Sequence, residues 1–322
     1  MTGLGHVGVI TDTGRKRRRN EDAYVCEPPL FAIADGMGGA QAGEVASRLA
    51  AAALKESHVD AGGEHRIYDL IQEANRRVYA RSSTDPNTSG MGTTITVALV
   101  ENGNVAFGHV GDSRAYLIRD GHMEQVTEDH SLVNELMKSG KLSREEAETH
   151  PQRSVITRAL GTDPDVDADT FTIEAKAGDV FLLCSDGLTD MVGEREIQEL
   201  VERNRENLDA ALKALVKAAN RGGGEDNITV VAFAISDAGE TARMPAVDNE
   251  DTMENVIPAP PVDTMVVPPD QVEHVFVEPG SPEAEAVTRR EPISPAARVR
   301  LVLVMLALLA VAAVLLVWGL VR

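Results

Sequence analysis

The sequence predicts an α/β domain of two packed antiparallel sheets covered by helices, continued by an acidic linker and a C-terminal membrane-spanning helix. Three observations carry this. Short segments rich in Val, Ile, Thr and Phe, at 5–10, 30–34, 94–100, 104–110, 114–118, 170–174, 179–184 and 228–235, are bounded by Gly, Asp or Asn, as strands are. Several follow one another across turn-sized gaps, ENGN between 100 and 105 and RDGH at 119–122, which favours hairpins over a doubly wound parallel sheet. A run of aliphatic residues near the C-terminus carries no charge at all.

Taken in order, the first strand is followed by the apolar run 30–34, then by Ala42, Val45, Ala46, Leu49, Ala50, Ala53 and Leu54, which recur at helical spacing. Ile67, Leu70, Ile71, Ala74 and Val78 place a second helix after it. The remaining strands follow. Residues 1–236 form the working domain.

Residues 237–298 hold most of the prolines, many acids and scattered Val without a helical or strand period, so burial cannot offset the entropy of ordering them. They are expected to be a disordered linker. Within it AVDNEDTM at 246–253 and PPVDTMVV ending at Val267 each place a threonine, Thr252 and Thr264, after an aspartate. Drift in a biased tract and a phosphorylated docking motif both account for that repetition. Leu301 to Val321, within a span set at 299–321, is long enough at about 1.5 Å per residue to cross a hydrocarbon core of about 30 Å. Arg289, Arg290, Arg298 and Arg300 precede it and only Arg322 follows, so the positive-inside rule leaves the N-terminal bulk cytoplasmic. MTGLGHVGVI lacks the basic start and apolar core of a secretory signal, in keeping with a tail-anchored protein of the cell membrane.

Acidic residues outnumber basic ones 51 to 31, a net charge of −20, which argues against nucleic acid or anionic headgroups as partners of the whole molecule. Two cysteines, Cys26 and Cys184, exclude a disulfide framework and a metal–thiolate site.

The chemistry lies where acids end apolar runs: NEDAY at 20–24, LFAIADGMGG at 30–39, VFLLCSDGL at 180–188 and EDNITVV at 225–231. One such aspartate is an ordinary turn residue. Four on neighbouring strands would gather Asp22, Asp35, Asp186 and Asp226 at one edge, where they repel one another by several kcal/mol unless cations lie between them. Oxygen ligands without a His or Cys cluster select Mg²⁺ or Mn²⁺, and Gly36 lets a backbone carbonyl approach a metal. Two ions about 3.5–4 Å apart acidify a bridging water and orient it for in-line attack on phosphorus. A phosphoester hydrolase follows. A two-metal nuclease would also need a track of Lys and Arg, and only GRKRRRN at 14–20 is strongly basic. That run stands directly before Glu21 and Asp22, so one of its arginines could hold a substrate phosphoryl group with its planar fork.

The order RxxxED, DGMGG, GTT at 92–94, GDSRAY at 111–116, TEDHS at 127–131, SDGL and EDN resembles the metal-dependent, type 2C serine/threonine protein phosphatases in their bacterial form, over residues 5–235. The resemblance implies a four-layer α-β-β-α sandwich with a binuclear Mg²⁺/Mn²⁺ centre that dephosphorylates phosphoserine and phosphothreonine in proteins. By it, Asp22, Asp35, Asp186 and Asp226 are metal ligands, Gly36 the carbonyl ligand and Arg17 the phosphate binder. Arg17, Asp35 and Asp186 make up the catalytic set. Asp112 matches a position that binds a third, weaker ion together with Asp186, and residues 131–160 match a mobile flap. Expected partners are phosphorylated proteins, membrane-associated Ser/Thr kinases above all.

One position departs from the family pattern. Some eukaryotic members carry a histidine directly after the DG pair, proposed to protonate the leaving alkoxide, whereas this chain has Met37. A metal-held water is the preferred general acid; His109 and His130 are the nearest side-chain alternatives, and both read as structural. A membrane-tethered phosphoprotein-binding scaffold with a decayed centre is the competing reading. Loss of a metal aspartate would favour it, and none is lost.

Overall fold

Apolar runs such as LFAIA and VFLLC, buried along their whole length, need cover on both faces, and two stacked sheets with helices outside provide it. The computed structural model describes residues 2–38, 42–57 and 62–237. Numbered along the chain, β1 (Thr2–Asp12), β11 (Ile228–Asp237), β10 (Val180–Cys184), β7 (Arg114–Arg119) and β8 (His122–Gln125) form one sheet in that order. The other runs β2 (Asp22–Glu27), β3 (Leu30–Met37), β5 (Ile95–Glu101), β6 (Asn104–Val110) and β9 (Asp169–Glu174), with the two-residue β4 (Gly92–Thr93) beside the end of β3. Every pairing between these strands is antiparallel, and in β2–β3, β5–β6 and β7–β8 the two-residue gap allows no other sense.

Alternation along each strand divides the interior into three layers. Phe31 and Ile33 of β3, Phe107 of β6, Phe181 and Leu183 of β10 and Val231 and Phe233 of β11 fill the space between the sheets. Phe31 stacks on Phe233 at 4.4 Å between ring centres, and Phe233 on Phe181 at 5.3 Å. The opposite faces meet helices. Leu30, Ala32, Val97 and Leu99 pack against α1 (Ala42–Glu56) and α2 (Gly63–Thr84). Leu182, Val230 and Ala232 pack against α6 (Glu194–Arg203) and α7 (Leu208–Gly222). The result is the expected α-β-β-α order.

The Val- and Ile-rich segments account for eight of the eleven strands among the described residues. The three others lack a continuous apolar run: β2 is DAYVCE, β4 has two residues, and β8 is HMEQ on a sheet edge with two of its four residues exposed. Helices α6 and α7 also lie outside the two expected ones, although Leu208, Ala211, Leu212, Leu215, Val216 and Ala219 of α7 carry a plain helical period and are all buried. The expected flap, 131–160, contains α3 (Leu132–Lys138) and α4 (Arg144–Glu148), each started by a serine whose hydroxyl accepts a backbone N–H. A one-turn helix, α5 (Asp186–Thr189), follows β10. Strand β11 extends one residue past the expected boundary at 236, with Asp237 opposite Thr2. No helix among the described residues is long and apolar enough to cross a membrane. The linker from 238 onward, Thr252, Thr264 and the span at 299–321 lie outside the described residues.

Phe233 sits between two other rings at the centre of the inter-sheet layer. Phe233→Ala is expected to lower the unfolding free energy by about 3–5 kcal/mol and Phe233→Leu by clearly less, measured by urea denaturation. Equal losses would mean that volume at this position does not matter.

Candidate metal centre and phosphate site

Each acidic motif ends a strand at the same edge of the sandwich. Asp22 opens β2 and lies directly opposite Asp35 near the end of β3. Asp186 follows β10 by two residues, Asp226 precedes β11 by two, and Asp112 lies in the turn from β6 to β7. The two sheets therefore contribute to one cluster.

Backbone straps hold it together. The Asp35 N–H donates to Thr94 Oγ1 at 3.0 Å, while Thr93 Oγ1 and the Thr94 N–H donate to the Asp35 carbonyl at 2.8 and 2.9 Å. Thr94 Oγ1 also lies 2.8 Å from Ser113 Oγ, which ties GTT to GDSR. Ser185 Oγ donates to Asp22 Oδ2 at 2.9 Å and accepts the Thr229 N–H at 3.0 Å, linking a carboxylate of one sheet to the backbone of the other. A Cβ on Gly36 would lie 2.1 Å from the Gly43 carbonyl oxygen, so the start of α1 approaches the DG pair as only glycine allows.

Burial raises the carboxyl groups of Asp22, Asp35, Asp112 and Asp186. Asp22 is pushed up to about 6, against hydrogen bonds from Thr229 and Ser185 that pull it down. Asp35 is raised by burial and by the charges of Asp22, Asp186, Asp112 and Asp226. Asp186 is raised by burial, then by Asp112, Asp190, Asp226 and Asp22, and Asp112 is pushed up to about 7 by burial and by Asp129. Asp22 Oδ1, Asp112 Oδ1 and Asp186 Oδ1 are buried without a hydrogen-bond partner. Buried acceptors facing like charges, with no donor to satisfy them, are what a hard cation relieves. The donor set, all carboxylate and carbonyl oxygen, thus fits Mg²⁺ or Mn²⁺. No group of three or more His, Cys, Asp or Glu side chains already placed to hold a metal ion exists among the described residues.

Arg17 Nη2 donates to Asp226 Oδ2 at 2.6 Å, which brings the expected phosphate binder to the expected metal ligand. The guanidinium remains half exposed. The Asn227 amide positions the basic segment: its oxygen accepts the Glu21 N–H at 2.8 Å, and its nitrogen donates to the Thr13 and Arg19 carbonyls at 3.0 and 2.9 Å.

Both histidines turn out to be braces. His109 is fully buried, with Nε2 donating to the Glu128 carbonyl at 3.1 Å and Nδ1 accepting from Thr96 Oγ1 at 3.0 Å. Burial, with His130 nearby, lowers it to about 4, so it stays neutral. His130 accepts the Gly111 N–H at Nδ1 and donates from Nε2 to Asp169 at 3.1 Å, next to the Arg158–Asp169 ion pair at 2.9 Å. Neither histidine has a nitrogen left for a leaving group.

Several contributors are absent from the sequence reading. Ser185 and Asn227 sit inside the SDGL and EDN motifs but are not acids, so a search for ligands passes over them. Asp190 is raised by burial and adds its charge to Asp186 and Asp112. Its signal was the spacing of four from Asp186 across one helical turn.

Known proteins resemble this chain in sequence and fold. Residues 15–222 match the family model described as protein phosphatase 2C. The chain is 40% identical over 238 residues to a serine/threonine phosphatase, stp, of Listeria innocua, covering 70% of this chain and 94% of the relative. It is 41% identical over 230 residues to the serine/threonine protein phosphatase PstP of Mycobacterium tuberculosis, covering 70% of this chain and 44% of that protein. A crystal structure of a PstP catalytic domain in complex with two manganese ions superposes with a TM-score of 0.68 at 36% identity, over 74% of this chain and all of that one. With its carboxylates gathered from both sheets and these relatives alongside, the chain belongs to the protein phosphatase 2C family of metal-dependent serine/threonine protein phosphatases.

Proposed function

We propose that this phosphatase hydrolyses phosphoserine and phosphothreonine on membrane-associated proteins, Ser/Thr kinases and their substrates above all, with Asp22, Asp35, Gly36, Asp186 and Asp226 holding two core ions. Asp112, with Asp186, takes a third. The observation that carries this is the set of buried, unpartnered carboxylate oxygens drawn from both sheets to one edge, with Arg17 on Asp226.

Two bound ions, when present, would supply the charge that acidifies a water and orients it for in-line attack on phosphorus. The chain's own residues do the rest. Asp22 and Asp35, opposite each other across β2 and β3, hold the sheet-edge ligands in register. Arg17 spends one N–H on Asp226 and keeps the remainder of its fork for phosphate oxygens. Ser185 fixes the Asp22 carboxylate, so its variants would change metal affinity rather than chemistry.

Activity on a phosphothreonine peptide is expected to vanish with chelator and to return with Mn²⁺ or Mg²⁺ but not Ca²⁺, which favours looser coordination. Asp35→Asn and Asp226→Asn should each cost orders of magnitude in kcat. Asp112→Ala should weaken turnover and the apparent affinity for activating metal, while both core ions remain bound in a crystal structure. Full turnover in excess chelator would overturn the two-ion assignment, and unchanged metal dependence in Asp112→Ala the third ion.

Arg17→Ala should raise KM for a small aryl phosphate with a smaller change in kcat, because a contact made alike in ground and transition states binds without accelerating. Arg15→Ala and Arg19→Ala should do less on that substrate. Equal effects from all three would make the run a diffuse patch.

Taken as a flexible coil, about 60 residues of the expected linker would span on the order of 40–50 Å, which would keep the domain near a membrane and raise its effective concentration toward anchored substrates. A chain ending at Asp237, the last residue of β11, should be folded and fully active on an aryl phosphate yet slower in cells on membrane-bound phosphoproteins. Loss of aryl phosphatase activity on truncation would make the tail part of the catalytic fold.

A further inference from the structure

The segment Gly14–Asn20 is the one strongly basic stretch in a chain of net charge −20, and only part of its charge is used by the site. Arg17 pairs with Asp226 at 2.6 Å and Arg19 with Glu44 at 3.7 Å. Arg15, Lys16 and Arg18 are exposed, and no carboxylate among the described residues pairs with them.

The backbone beneath these three cations is clamped. Both the Arg15 and Lys16 N–H groups donate to the Gly224 carbonyl, at 2.7 and 3.1 Å, and Asn227 grips the Thr13 and Arg19 carbonyls on either side. Gly14 has φ +74°, and a Cβ there would lie 2.2 Å from the Asp226 carbonyl oxygen, so the turn is pressed against the strand end that carries a metal-site carboxylate. A solvated basic tail has no need of four such hydrogen bonds. This one displays its charges at a fixed place.

We propose that Arg15, Lys16 and Arg18 form an anion-reading rim that selects phosphorylated segments bearing further negative charge, carboxylate or a second phosphate, within about three residues of the scissile phosphate. The proposal rests on the phosphatase reading and on Arg17 holding that phosphate. Consecutive residues of an extended substrate advance about 3.3–3.6 Å, so groups one to three positions away fall within about 10 Å of Arg17. Lys16 and Arg18 flank Arg17 at one Cα step, about 3.8 Å. That reach is comparable to the Debye length of about 8 Å at physiological salt, so the rim acts on near neighbours and not on the whole partner. Acids elsewhere on the molecule repel an anionic segment, which leaves this rim as its approach.

The test uses the Mn²⁺-loaded full chain in neutral detergent with three phosphothreonine peptides: one with neutral flanks, one with glutamates at the flanking positions, and one with a second phosphothreonine. A small aryl phosphate serves as the control. kcat/KM on the two anionic peptides should exceed that on the neutral one by about tenfold at low ionic strength, the gap closing at high salt. The double variant Lys16→Gln/Arg18→Gln should bring the ratio near one, and Lys16→Glu/Arg18→Glu should invert it, with the aryl phosphate rate unchanged in both. Preference for the doubly phosphorylated peptide alone narrows the ligand to phosphate; equal preference for both assigns it to net charge. A ratio near one in the wild type, or a preference that survives in both variants, overturns the rim while leaving the phosphatase intact. Vesicle binding to phosphatidylserine that the variants lose, with the peptide ratio near one, assigns the charges to the membrane and also overturns it. No turnover of any phosphopeptide beside full aryl phosphatase activity overturns the phosphoprotein reading itself, and the rim with it.

Discussion

The repulsion among Asp22, Asp35, Asp112, Asp186 and Asp226 is the constraint on which the rest of the structure depends. Two carboxylates about 4 Å apart at an effective dielectric near 20 oppose each other by about 4 kcal/mol, and here each meets more than one neighbour. Such a cluster survives folding only if its backbone is held by groups that do not relax. The sandwich meets that need by drawing these carboxylates from the ends of β2 and β3 in one sheet and the ends of β10 and β11 in the other. The Phe31–Phe233–Phe181 stack between the sheets thereby sets the spacing of the site as well as the stability of the core.

The neighbours of the acids acquire their meaning from this constraint. Thr93 and Thr94 satisfy the backbone of Asp35, Ser113 joins them, and Arg114 closes a two-pronged ion pair on Asp129 with contacts of 2.7 and 3.0 Å. His130 holds the Gly111 N–H at the same turn. GTT, GDSR and TEDHS are therefore one framework around Asp112 and Asp35, although they are separate in sequence. The segment 131–160 is joined to it by Arg158 on Asp169 and, at 3.9 Å, by Arg153 on Asp190.

Much of this was legible because a strand buried on both faces cannot hide. The runs at 30–34, 179–184 and 228–235 are apolar throughout, and an acid placed at the end of each is conspicuous. The gaps of two to four residues made the sheets antiparallel even though continuous apolar runs are more typical of parallel ones. What the sequence concealed shares one cause. Strands β2 and β8 owe their existence to partners, Asp22 opposite Asp35 and Tyr116 opposite Gln125, not to their own composition. Ser185 and Asn227 matter through hydrogen bonds that reach Asp22 and Glu21, 163 and 206 positions away, which no local pattern encodes. Helix α7 is the exception, since its period was visible and the residues that carry it are buried.

The pairing of Arg17 with Asp226 joins the two halves of the chemistry in one contact. A guanidinium 2.6 Å from a carboxylate offsets part of the repulsion that Asp226 adds to its neighbours. It also leaves Arg17 oriented, because a donor fork with one prong engaged has fewer ways to point the others. The guanidinium is half exposed, so reaching a phosphate costs little desolvation. A phosphate bound by the free prongs then lies beside the carboxylate edge where the ions are expected. In the proposed reaction the same residue that tempers the acidic cluster would also deliver the anionic substrate to it, and the charges of Lys16 and Arg18 on either side would extend that attraction outward along the peptide.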